Sequence, residues 1–186
     1  MGSSHTIQVR KIFEKNVGHV LNKSEEEDII NKLSNFREPK KIIAGMYLFE
    51  NNLYIQRAGS KKLSNLAFDM NNVELILNEG GAKQLIRSMR RHINDWKLCW
   101  FSASAVWNMA RPQVSRIQIG KSIKLLINML KLHNEQERVV HTVIGALSNL
   151  SLESANADKI ISGKNLDIIF KTIYEHVDSN IVLTSS

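Results

Sequence analysis

The chain has 186 residues, a formal net charge of +7, 43% hydrophobic and 23% charged residues, and a single cysteine. That length and balance suit a folded domain with a sizeable core and exclude a disordered chain as the default. The lone Cys99 excludes an internal disulfide framework and a multi-cysteine zinc site, and no run of about 18 apolar residues offers a membrane span.

In chain order, the first signal is Met1 to Thr6, which fits the M-G-x-x-x-[ST] pattern and marks Gly2 as a candidate myristoylation site. The competing reading is an ordinary start or a leader remnant. Residues 1–23 form an N-terminal segment whose stretch Thr6 to Leu21 predicts a leading helix that covers the exposed end of the domain beyond it. Ser24 with Glu27 matches a capping box opening a helix from Glu25 to Phe36, and Pro39 suits the first turn of the next.

From there the chain repeats itself. KLSNLA at 62–67, AVWNMA at 105–110 and ALSNLS at 146–151 place Asn65, Asn108 and Asn149 among apolar neighbours at intervals of 43 and 41 residues. A second landmark keeps the same phase: Ile42-Ile43 with Met46, Leu85-Ile86 with Met89, and Leu125-Leu126 with Met129 lie 23, 23 and 24 residues upstream. Each apolar pair plus the residue three or four later makes one helical stripe, and Val139, Val143, Leu147 and Leu150 do the same in the following helix. Gly80-Gly81, Gly120 and Gly163 stand just before the middle helices, where the chain must turn. A helical hairpin cannot bury its apolar face alone, so successive units must stack.

The pattern G-x-x-x-L-L, a short turn, then A-L-S-N-L-S on a long helix resembles the armadillo repeat of β-catenin and importin-α. The resemblance covers residues 24–186 in approximate units 24–68, 69–111, 112–152 and a partial 153–186, since the next asparagine would fall near or beyond position 190. It implies an all-α, right-handed α-α superhelix acting as a non-enzymatic scaffold or adaptor. It further implies that the third helices line a concave groove in which the asparagines grip an extended peptide. The face four and eight residues before each asparagine then reads Arg57, Lys61, Asn65; Trp100, Ser104, Asn108; and His141, Gly145, Asn149. Importin-α has a tryptophan four residues before the asparagine and acidic side chains for basic cargo. Lys61, Ser104 and Gly145 stand there instead, so an acidic or phosphorylated segment, or a helical partner, is the expected ligand. Core packing is the competing role for Trp96, Trp100 and Trp107, and capping between neighbouring repeats is the competing role for the asparagines.

Charge adds a second candidate surface. Residues 82–134 carry +9, leaving −2 for the rest, and Lys83, Arg87, Arg90, Arg91 and Lys97 form the predicted basic patch. This segment could track the phosphates of a nucleic acid, with Trp100 or Trp107 stacking a base, or meet an anionic membrane surface alongside N-terminal acylation. No acid, base and nucleophile set stands at a catalytic spacing, Cys99 sits in an apolar stretch, and His133 and His141 lack neighbouring ligands. The expectation is no enzyme, no cofactor, no metal, and a cytoplasmic location with nuclear or peripheral membrane association left open.

Overall fold

The structure, a computed structural model, describes residues 11–184, with side chains as far as His176. It is all-helical, with no strand among the described residues. The helices are α1 (Lys23–Asn35), α2 (Pro39–Leu48), α3 (Leu53–Ala67), α4 (Met70–Asn78), α5 (Gly81–Arg91), α6 (Trp96–Met109), α7 (Gln113–Ile119), α8 (Ile123–Leu132), α9 (Glu137–Ser151), α10 (Ser154–Ile161) and α11 (Asn165–Thr184). A 3-10 turn, Gly120–Ser122, joins α7 to α8.

Polar side chains set most of the helix starts. Asn52, Asp69 and Asp95 each accept a backbone N–H in the first turn of α3, α4 and α6, satisfying donors that an α-helix leaves orphaned. Pro39 takes the first position of α2, as expected. The capping box of α1 sits two residues earlier than Ser24 and Glu27 would place it. Asn22 accepts from the Glu25 N–H at 3.0 Å, and the Glu25 carboxylate accepts the Asn22 N–H at 2.9 Å. Asparagine caps as well as serine, so the earlier register satisfies the same two donors. The backbone hydrogen bond to Asn22, followed by the His19 ring, holds the Glu25 carboxyl below its ordinary range.

The predicted leading helix over Thr6 to Leu21 does not run through its described part, which from Ile12 passes through turns and a short 3-10 segment, Glu14–Asn16. Gly2 and residues up to 10 lie outside the described residues. The N-terminal segment is not that helix, but it does pack onto the domain: Phe13 is fully buried, edge-on to Phe36 and Phe49, while α1 lies along the flank of α3.

Beyond that, corresponding helices meet in rows. α3, α6 and α9 pack side by side, as do α2, α5, α8 and α11, and as do α4, α7 and α10. The core fills the space between the rows. Ile42, Met46, Leu85, Met89, Leu126 and Met129 from the second helices are fully buried, as are Ile55, Leu63, Leu98, Val139, Val143 and Leu150 from the third. Burying each such side chain contributes roughly 1.5–3 kcal/mol. The partial last unit has its first helix, α10, and α11 then runs unbroken to Thr184, with no third helix among the described residues.

Polar contacts repeat with the same period. The Nε2–H of His92 donates to the Glu50 carbonyl at 2.9 Å, that of His133 to Ile93 at 2.7 Å, and that of His176 to Asn134 at 2.5 Å. Each ring thereby ties its second helix to the turn that ends the previous one. Of the turn glycines, Gly80 and Gly163 do adopt the left-handed region, with φ of 80° and 59°. Gly120 does not. It is helical, and glycine is needed there because a Cβ would stand 2.0 Å from the Asn156 Oδ1 of α10.

Candidate functional site

The helix row α3, α6 and α9 brings the predicted groove residues onto one packed layer, but in several cases they are already engaged. The Asn108 amide donates to the Ser64 carbonyl and the Asn149 amide to the Trp107 carbonyl, both at 3.1 Å. Ser64 and Trp107 lie in the last turns of α3 and α6, where carbonyls lack an intrahelical donor. These two asparagines therefore bind each third helix to the end of the one before it, while each keeps its amide oxygen and second N–H. Asn65 is exposed, and its side chain makes no hydrogen bond to the described residues. It lines, with Lys61 and with Ile30 and Ser34 of α1, a pocket of about 360 Å³.

Arg57 is not a free groove cation. Its guanidinium grips Asp95 with both fork nitrogens, Nε at 2.7 Å and Nη2 closer still, and Asp95 accepts the Leu98 N–H at 2.8 Å in the same place. Burial pushes the Asp95 carboxyl up, but the Arg57 hydrogen bonds, the Leu98 N–H and the Arg57 and Lys97 charges together hold it below its ordinary 3.8. The hydrogen bond to Asp95 raises Arg57 against the opposing effect of burial.

Around the middle of the row an aromatic and cationic cluster forms. Trp100 and Phe101 stack at 4.7 Å, Lys61 lies 5.7 Å from the Phe101 ring, and the Arg138 guanidinium lies 4.9 Å from Trp100. All three tryptophans are half-buried, so neither pure core nor fully free. Trp107 meets His141 edge-on at 5.4 Å and lies over Gly145, where a Cβ would stand 2.5 Å from the indole. These three residues open into a pocket of about 430 Å³ whose far wall is Ile173 and His176 of α11. Ser104, on α6, is half-buried. Phe101 and Arg138 were missed from sequence. Arg138 sits three residues before His141, on the adjoining turn of one helical face, and that spacing could have found it.

The basic patch divides. Lys83, Arg87, Arg90 and Arg91 share one face of α5 and line a cleft of about 860 Å³ together with Lys121 and Gln118. Lys97 stands apart on α6, over the Trp96 ring at 5.5 Å. Arg111 and Arg116, from the same basic segment, are spent on carbonyls at the helix ends: Arg111 on Ala67, Phe68 and Asn108, and Arg116 on Ala110 and Arg111.

Cys99 is fully buried, its thiol directed at the Ile93 carbonyl at 3.3 Å, and burial, with a smaller push from Asp95, raises it to about 12. Such a thiol holds almost no thiolate near neutral pH. Among the described residues no three His, Cys, Asp or Glu side chains converge as a metal would need, and no helix is long and apolar enough to cross a membrane. No family model matches the chain, and no curated protein or solved structure matches it either.

Proposed function

We propose that the chain is an armadillo-type α-solenoid with no catalytic role, holding an extended acidic or phosphorylated peptide along the face of α3, α6 and α9. One observation carries this: the cluster Lys61, Phe101, Trp100 and Arg138 draws two cations and two stacked rings from α3, α6 and α9 onto one strip. Stacked aromatics with cations at their edges supply a rigid apolar anchor and a positive rim, the pairing that concentrates binding energy at peptide interfaces. The remaining acceptor and donor of Asn108 and Asn149, with both ends of Asn65, suit a backbone that offers N–H and C=O alternately. The pocket beside Trp107 would seat an apolar side chain of the same peptide.

The test is fluorescence anisotropy with labelled peptides rich in glutamate or phosphoserine, against matched neutral and basic peptides. Binding should favour the acidic set. Lys61→Glu with Arg138→Glu should weaken it by about tenfold or more, because like charges then face each other across the interface. Trp100→Ala should weaken it comparably, as loss of an anchor does. Equal affinity for basic and acidic peptides, or full affinity in the charge-reversed variant, would sink the proposal.

A further inference from the structure

On the opposite row of helices, the geometry points to a second site: the cleft between α5 and the corner of α7 and its 3-10 turn binds a compact ligand carrying several clustered phosphates. Lys83, Arg87, Arg90 and Arg91 fall at i, i+4, i+7 and i+8 of α5, so one helical face delivers all four into the same concavity. Lys121 enters from the facing turn. The core does not need Lys83, Arg90 or Lys121, since α5 buries Leu85 and Met89 on its other side.

The balance of charge is lopsided. Two acids stand near the cleft: Glu50 is shared at one rim between Arg91 at 3.0 Å and Arg87 at 3.7 Å, and Glu79 lines the adjoining pocket with Lys83 and Arg87 without an ion pair to either. Arg87 is also braced over the Tyr47 ring at 5.3 Å, and Arg91 donates to Asn51. Those contacts hold two guanidinium forks in place. Lys83, Arg90 and Lys121 have no ion-pair partner among the described residues. Two braced forks and three unpaired cations in one concave space create a strong local positive potential, which low-dielectric walls concentrate.

The shape selects among anions. A volume of about 860 Å³ is far larger than one phosphate ion requires, so a ligand with several charged groups is favoured. Guanidinium forks match phosphate oxygens in pairs. The apolar lining is limited to Ala82 and Ile86, with no aromatic ring, so the cleft offers neither a base-stacking platform nor an acyl slot. A nucleic-acid strand would need its cations continued along a track, yet Arg111 and Arg116 are tied to carbonyls and Lys97 lies on α6. Clustered phosphates of this kind occur on a free polyol polyphosphate and on a phosphorylated lipid headgroup.

Titration calorimetry of the whole chain with inositol hexakisphosphate, at about 150 mM salt to screen diffuse attraction, tests the site. The comparison is between Arg90→Glu with Lys121→Glu in the cleft and Lys131→Glu with Lys164→Glu outside it, which change net charge equally. One-to-one binding that falls about tenfold or more in the first pair, and stays within about threefold in the second, is expected. Equal losses in both pairs, or no heat of binding, overturn the inference. Flotation with vesicles of matched charge identifies the source. Preference for a bisphosphorylated inositol lipid over phosphatidylserine, displaced by the hexakisphosphate, supports the site with a headgroup as its ligand. Equal flotation on both would mean general surface attraction and overturns it. Binding of poly(U) RNA that the hexakisphosphate cannot displace, with the hexakisphosphate itself silent, transfers the surface to nucleic acid and also overturns it.

Discussion

On the third-helix face the charges are committed to neighbours: Arg57 to Asp95, Lys61 to the Phe101 ring, Arg138 to Trp100. In the α5 cleft Lys83 and Arg90 stand on one helical face, with Lys121 entering from the facing turn, and none of the three has an ion-pair partner among the described residues. The same residue types therefore do different work. Committed cations fix the spacing of helices and the pose of rings, as the proposed binding strip would require. Uncommitted cations contribute a field, strong at short range and weakened by salt. Substitutions of the committed charges should cost stability, and substitutions of the uncommitted cations should cost only the affinity proposed for the cleft.

The largest effect on stability is expected at Asp95. It caps α6 through the Leu98 N–H and holds Arg57 in a two-pronged pair, with side-chain exposures of 16% for Asp95 and 24% for Arg57. Asp95→Ala should lower unfolding free energy by about 2–4 kcal/mol in urea titrations, between a lost cap and a broken buried pair. Asp95→Asn, which keeps the cap, should cost less. Because Asp95 titrates below its ordinary 3.8 when folded, its contribution is complete above that value and lost as pH falls through the depressed one. Melting temperature should therefore drop on acidification, and Asp95→Asn should flatten part of that drop. A profile unchanged in the variant would show that the pair does not couple to folding.

Next come the asparagines, which sharpen the comparison inside one surface. Asn108→Ala and Asn149→Ala each remove a hydrogen bond to a helix-end carbonyl, and each should cost about 1–2 kcal/mol. Asn65→Ala removes none and should stay within about 0.5 kcal/mol. Equal costs at all three positions would mean that the ladder does not tie helices together. Asn65 is for this reason the clean position for peptide-binding measurements, since a loss at Asn108 mixes binding with stability.

Much of this architecture could be read from the chain because it rests on local periods. The apolar pairs at Ile42, Leu85 and Leu125 mark the second helices, and their stripe residues Met46, Met89 and Met129 are buried. Capping of a neighbouring repeat could be read as one role for the asparagines, but which carbonyl each one reaches could not, since it depends on how far one helix slides against the next. The same holds for Arg57 and Asp95, 38 residues apart with no repeat relating them. The histidine series His92, His133 and His176 is different. Its intervals of 41 and 43 residues are present in the sequence, but apolar landmarks alone set the period there and leave a polar series unnoticed. Lys97 groups with the α5 cations by proximity in sequence, but the turn before α6 carries it to another row.

The smallest expected effect is the one that separates the two surfaces most cleanly. Arg90 is exposed, has no acid partner among the described residues, and sits among like charges. Replacing it with glutamate removes repulsion from Lys83 and Arg87 and adds an attraction to each, while no hydrogen bond is lost. Arg90→Glu should therefore leave stability unchanged or raise it by a few tenths of a kcal/mol, the scale of exposed charge pairs. Any gain should shrink as salt is added, because it is a screened interaction. A loss of more than about 1 kcal/mol would mean that Arg90 is structurally committed like Arg57. The contrast between a cationic scaffold and a cationic cleft would then fail at its defining residue.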